Sequence, residues 1–240
     1  MLRIRVQDLS IQFPIPATRR GLFKRAPTGG GTAHILRDVS AEFHEGECVG
    51  ILGHNGAGKS TFLRTLAGVY QPISGSIAVH GDIRSLFSLH AGLDAEASGR
   101  RNIYLIGLAQ GIPYPVLRHK EEEIIEFSGL AEFIDRPVRT YSNGMAMRLA
   151  FSVSTCQISE IMLIDEIIAT GDLDFQNRSL ARTFDIMSHS VLFVIASHDC
   201  HFLGRVCGRG IVFSHGRILF DGPIADAIEF YTQGATQGHP

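Results

Sequence analysis

The 240-residue chain carries 22 Lys and Arg against 24 Asp and Glu, a formal charge of −2, which excludes the strong positive field of a general nucleic-acid binder. A hydrophobic content of 45% supplies a full core, yet the longest apolar runs, such as residues 191–196, are far too short to cross a bilayer. The four cysteines lack metal-type spacing and read as reduced, mostly buried thiols; the absence of a charged-then-apolar leader predicts a cytosolic location.

Residues 2–10 alternate apolar and polar side chains, as a half-exposed strand does. Residues 14–32 bring Pro, Gly and the basic cluster Arg19, Arg20, Lys24 and Arg25, which reads as an insertion, either solvated or in contact with anionic lipid headgroups. Residues 35–43 alternate again, and 47–52 form a buried strand. Next comes Gly53-His54-Asn55-Gly56-Ala57-Gly58-Lys59-Ser60-Thr61, which meets the pattern G-x-x-x-x-G-K-S/T at every position, and 61–67 read as a helix. In that strand–loop–helix context the glycines let consecutive N–H groups curl round an anion, and the helix adds its positive end. Lys59 is placed to reach the β- and γ-phosphates of a nucleoside triphosphate, and the Ser60 hydroxyl to ligate Mg²⁺.

Residues 76–80 and 83–86 follow as short strands around the turn His80-Gly81-Asp82. Residues 102–154 are mainly helical, with Pro113, Pro115 and Pro137 expected to break them into pieces. Strands at 161–164, 191–196 and 209–213 then alternate with helices at 175–188 and 199–205. Such alternation indicates a parallel-sheet α/β architecture with an inserted helical segment.

The strand 161–164 ends in Asp165 and Glu166, at the strand end where open α/β sheets bind ligands. Asp165 is the candidate second ligand of Mg²⁺ opposite Ser60, and Glu166 the group that orients or deprotonates the attacking water. The strand 191–196 delivers His198 in the same way, towards the γ-phosphate or that water. Tyr141-Ser142-Asn143-Gly144-Met145 precedes an apolar-periodic helix from Ala146. Ser142 is a good N-cap and Asn143 tolerates left-handed backbone, which gives a second helix N-terminus suited to an anion. Since one chain already supplies a phosphate loop, this second site makes most sense facing a nucleotide held by another subunit.

These residues, in this order, resemble the ATP-binding cassette (ABC) family over essentially the whole chain. The resemblance implies an α/β fold: a P-loop NTPase core with a mainly parallel sheet, an antiparallel β subdomain and a helical subdomain at about 88–156, all within one nucleotide-binding domain, 1–240. It implies a head-to-tail homodimer around two ATP molecules, in which Ser142 and Gly144 contact the γ-phosphate across the interface, Asp172 makes a dimer contact and His198 acts as the switch histidine. Phe13 is the candidate for the aromatic that stacks on adenine. Within the family, Tyr141–Met145, 165–175 and Ser98-Gly99-Arg100-Arg101-Asn102 look like elements of ATPase subunits that export capsule and O-antigen type polysaccharides. That likeness implies a polytopic permease partner, a place on the cytoplasmic face of the membrane, and no nucleic acid. The usual glutamine after the 83–86 strand is absent, with Ser88 or His90 in its region, and Arg101 replaces a usual Glu. The chain stops at Pro240, which is expected to leave substrate choice to the partner. A soluble ABC-type ATP switch is the competing reading.

Overall fold

A computed structural model describes residues 1–14, 31–87, 92–165 and 173–236. The expected roles of Glu166, Asp172, Ser88, His90 and the basic cluster 19–25 lie outside the described residues. In chain order the first strands are β1 (Leu2–Pro14), β2 (Thr32–His44) and β3 (Cys48–Leu52), followed by α1 (Lys59–Leu66), β4 (Ser74–Val79) and β5 (Ile83–Leu86). The helices α2 (Gly99–Ala109), α3 (Tyr114–Ser128) and α4 (Asn143–Ser154) come next, then β6 (Ile161–Asp165) and α5 (Leu173–His189). The chain finishes with β7 (Leu192–Ala196), α6 (Cys200–Val206), β8 (Arg209–Ser214), β9 (Arg217–Pro223) and α7 (Ile224–Thr236). The chain divides into two compact units, Met1–Gly81 with Val194–Pro240, and Asp82–Phe193, with β7 running through the boundary.

In the first unit β1 pairs antiparallel with β2 and β4, and β3 runs parallel to β8, itself antiparallel to β9. Two of the four register shifts in the β1–β2 pair fall at Asp8 and Asp38, which have φ of 47° and 50°. Each amide is taken by a serine on the facing strand: Asp8 N donates to Ser40 Oγ at 2.9 Å and Asp38 N to Ser10 Oγ at 3.0 Å. Phe43, Phe62 and Phe213 stack through the core with ring centres 6.3 and 5.0 Å apart. Gly210 on β8 lets α7 pack closely, since a Cβ there would meet that of Ala227 at 2.5 Å. Arg209 donates to Asp221 at 2.6 Å and Glu47 at 3.1 Å, and these carboxylates hold its guanidinium above its ordinary pKa.

The second unit pairs β5 parallel with β6 and builds a helical core from α2, α3, α4 and α5, in which Ile103, Ile106, Leu117, Leu149 and Phe175 are fully buried. Pro113 and Pro137 fall in the breaks between helices, Pro113 as the N-cap of α3 and Pro137 before a short 3₁₀ turn, but Pro115 does not break the helix. It sits in the first turn of α3, where the missing N–H costs nothing. α4 starts at Asn143, three residues before the expected Ala146, and the positive-φ residues other than glycine among those described are Asp8, Asp38 and His215. Asn143 is therefore the first helical residue and adopts no left-handed geometry, because the Ser142 cap already turns the chain. The strand β9 and helix α7 carry no counterpart in the sequence reading. Of the four free thiols, Cys156 and Cys207 are buried, and burial pushes Cys156 up to about 11.

The element Ser98–Asn102 proves to be a structural knot. Ser98 caps α2 by accepting from Arg101 N. Asn102 is fully buried; its Nδ2 donates to the carbonyls of Asp94, Ala97 and Ser98 while its Oδ1 accepts from Asp94 N at 2.7 Å. Arg100 binds Glu121 and Asp135, tying α2 to α3, whereas Arg101 is exposed. Asn102→Ala removes the side-chain bonds to the carbonyl and amide of Asp94, while Ala97 O keeps Val138 N and Ser98 O keeps Asn102 N, and is expected to cost about 2–3 kcal/mol in urea unfolding. Arg101→Glu is expected to leave the midpoint unchanged; equal costs for the two variants contradict this picture.

Candidate functional site

The loop between β3 and α1 is shaped by its glycines. Gly56 and Gly58 have φ of 81° and 108°, a region that penalises any side chain, and Gly53, at 146°, leaves no room for one because a Cβ would lie 2.4 Å from Phe213 O. Ala57 N donates to His54 O at 3.1 Å, closing the turn. Helix α1 starts from Gly58 with no side-chain cap and no acid in its first turn, so its positive end faces whatever enters the loop. Lys59 Nζ folds back to donate to the carbonyls of Gly53 at 2.5 Å and His54 at 3.1 Å. The ammonium is thus held on the loop's own carbonyls. Ser60 and Thr61 follow on the first turn of α1, both half-buried.

The same unit presents the end of β7. Ser197 N donates to Ile51 O at 3.4 Å, which places the start of Ser197-His198-Asp199 beside the strand that delivers the loop. His198 is exposed there. Asp199 is the N-cap of α6, accepting from Phe202 N at 2.9 Å, and its own amide donates to Ser197 Oγ at 3.1 Å. His198 therefore stands on a short turn fixed on both sides. Phe13, at the end of β1, is half-buried and meets Tyr70 edge-on with ring centres 5.0 Å apart. Tyr70 was invisible to sequence reasoning, since nothing in Val69-Tyr70-Gln71-Pro72 marks it as a neighbour of a residue 57 positions earlier.

In the second unit Asp165 closes β6, half-buried, on a strand whose preceding four residues are almost completely hidden. Neighbouring β5 pairs in register from Ile83↔Ile161 to Leu86↔Ile164, so both strands finish at the same edge. Ser142 is the N-cap of α4, with its Oγ accepting from Met145 N at 3.2 Å and its carbonyl from Ala146 N at 3.0 Å. The N–H groups of Asn143 and Gly144 are left without an intrahelical partner by the geometry of a helix start. A Cβ on Gly144 would meet only Ser142 Oγ, at 3.9 Å, so an anion has open approach. Tyr141 anchors the segment by donating to Phe133 O at 2.8 Å, and burial pushes its hydroxyl pKa up.

Residues 36–169 match the family described as ABC transporter. The chain belongs to that family. It is 40% identical over 225 residues to the O-antigen export system ATP-binding protein RfbE of Yersinia enterocolitica, covering 88% of this chain and 94% of that one. It is 38% identical to the O-antigen export system ATP-binding protein RfbB of Klebsiella pneumoniae, over 82% of this chain and 80% of that one. The teichoic acids export ATP-binding protein TagH of Lactococcus lactis is 37% identical over 82% of this cassette, which spans only 42% of TagH. Among solved structures, an ATP-binding subunit of an ABC transporter superposes with a TM-score of 0.71 at 19% identity, covering 99% of this chain and 95% of the other. A dimeric post-hydrolysis cassette bound to ADP and Pi gives 0.70 at 17% identity, covering 92% and 98%. These last two show the fold: a P-loop core with parallel strand pairs, an antiparallel β sheet and helices, as expected from the sequence.

The glycines should respond unequally. Gly56 has open space around it, so Gly56→Ala meets only backbone strain of about 1–2 kcal/mol. In Gly58→Ala the new Cβ also meets Leu36 Cδ2 at 2.9 Å and Ile35 O at 3.2 Å, and the loss of stability is expected to be larger. Urea midpoints of the two variants check this, and a Gly56 variant that is the less stable of the pair contradicts it.

Proposed function

We propose that this chain is the ATP-hydrolysing subunit of an exporter of polysaccharide, such as a lipid-linked O-antigen, capsule or related glycan. The observation that carries it is a complete phosphate loop in one chain with a second, serine-capped helix start at Ser142. A lone P-loop enzyme has no use for the second. Relatives named for O-antigen and teichoic acid export, one matched along nearly its whole length, supply the cargo class and favour transport over a soluble ATP switch.

Two copies pair head to tail, so that each ATP lies between Lys59 of one copy and Ser142 and Gly144 of the other. Asp172 joins the copies, and Phe13, backed by Tyr70, stacks on the adenine. Gly53, Asn55, Gly56, Ala57 and Gly58 wrap the phosphates with backbone amides. The Ser60 hydroxyl and the Asp165 carboxylate each offer the hard oxygen donor that suits Mg²⁺, an ion that keeps several of its waters. When bound, Mg²⁺ neutralises charge on the β- and γ-phosphate oxygens. Glu166 orients or deprotonates the attacking water, and His198 fixes the γ-phosphate. The helical segment passes the closing motion to a polytopic permease at the cytoplasmic face of the membrane. No helix among the described residues is long and apolar enough to cross the membrane itself, which fits a separate spanning partner.

Glu166→Gln is the direct test. ATP binding is expected to survive while turnover falls by about 10²- to 10⁴-fold, the range set by a general base. The variant is expected to accumulate as an ATP-dependent dimer in size-exclusion chromatography. Full turnover removes Glu166 from its role, and a variant that stays monomeric with ATP bound removes the sandwich.

A further inference from the structure

Nucleotide binding leaves two imidazoles at the phosphate loop without a task. His54 is the loop's second residue and His215 occupies the turn between β8 and β9; both are exposed, and their ring centres lie 5.2 Å apart at an interplanar angle of 58°. The turn is tied to the loop by Gly216 N, which donates to Ala57 O at 3.0 Å, and to β2 by Arg37 N, which donates to Gly216 O at 2.9 Å. The backbone segments that carry the two rings are therefore held side by side by the fold.

His54 Nδ1 lies 2.8 Å from Asn55 O. A carbonyl only accepts, so Nδ1 is the donor in this contact, and in the neutral ring Nε2 is the nitrogen left to bind an ion. Histidines that bind metals hold the other ring N–H on a carbonyl or carboxylate in the same way. The spacing agrees. Two imidazoles bound to one ion at about 2.0–2.1 Å, with a tetrahedral angle between them, have ring centres about 5 Å apart.

We propose that His54 and His215 form a two-imidazole site for a borderline divalent transition metal of the Zn²⁺ class, on the outer surface of the phosphate loop. Among the described residues no three His, Cys, Asp or Glu side chains converge, so water completes the coordination and the ion is exchangeable. The nitrogen pair separates this site chemically from the oxygen pair Ser60 and Asp165, since Mg²⁺ favours oxygen. An ion there clamps the loop to the β8–β9 turn.

The test is calorimetric titration of tag-free, chelator-stripped full-length protein with Zn²⁺, in the absence of nucleotide. Wild type and the control His201→Gln are expected to bind one Zn²⁺ per chain. His54→Gln and His215→Asn are each expected to weaken that binding by about tenfold or more. Asn is chosen at 215 because it tolerates the left-handed backbone found there, with φ of 46°. Electron paramagnetic resonance of the wild type with one equivalent of Cu²⁺ gives a readout independent of the variants, and two coordinated imidazole nitrogens are expected. Unchanged Zn²⁺ binding in the two variants, no saturable site in the wild type, or a Cu²⁺ spectrum without imidazole nitrogens overturns the proposal. None of these outcomes bears on the ATPase reading, which does not use either histidine.

Discussion

A row of backbone amides that must stay available for an anion cannot be satisfied by the protein itself, and the geometry around Gly53–Lys59 is organised by that constraint. Positive φ at Gly56 and Gly58 turns successive N–H groups to one side, at a conformational cost only glycine keeps small. The lysine ammonium meets the carbonyls that this turning exposes, Gly53 O and His54 O. Supports converge on the loop from elsewhere in its unit: Phe213 O closes on Gly53, and the turn at Gly216 holds Ala57. The Phe43, Phe62 and Phe213 stack fixes the helix that follows. Residues spread from β2 to β9 thus hold a loop whose own bonds are few.

The second unit solves a similar problem with different materials. The start of α4 is defined by a serine cap rather than by a left-handed glycine, and the surrounding segment is locked in place by side chains. Asn102 stitches the chain from Asp94 to Ser98, and Tyr141 is anchored on Phe133 O. Phe175 meets Phe127 and Phe151 edge to face while those two stack on each other, with the guanidinium of Arg182 4.7 Å from the centre of Phe127.

Much of this was legible in the sequence where a pattern is local. The phosphate loop, the apolar strands β6 and β7, and Ser142 as a cap are each set by residues within a few positions of one another. Legibility ended where the determinant is distant. Tyr70 reaches Phe13, and His215 reaches His54, only through the pairing of β strands. Asp8 and Asp38 adopt left-handed backbone because serines on the facing strand capture their amides, which no single-strand pattern reveals. Pro115 looked like a breaker because its position in the first turn depends on where Pro113 starts the helix. β9 shows a half-exposed alternation too short to stand out, and α7 owes its place to the absence of a side chain at Gly210.

The most direct measurement is a crystal structure of the protein with ATP and Mg²⁺. The account predicts that Lys59 Nζ leaves the carbonyls of Gly53 and His54 for the β- and γ-phosphate oxygens, while the backbone of residues 53–58 keeps its present torsions. A nucleotide bound elsewhere, with Lys59 still on those two carbonyls, contradicts it.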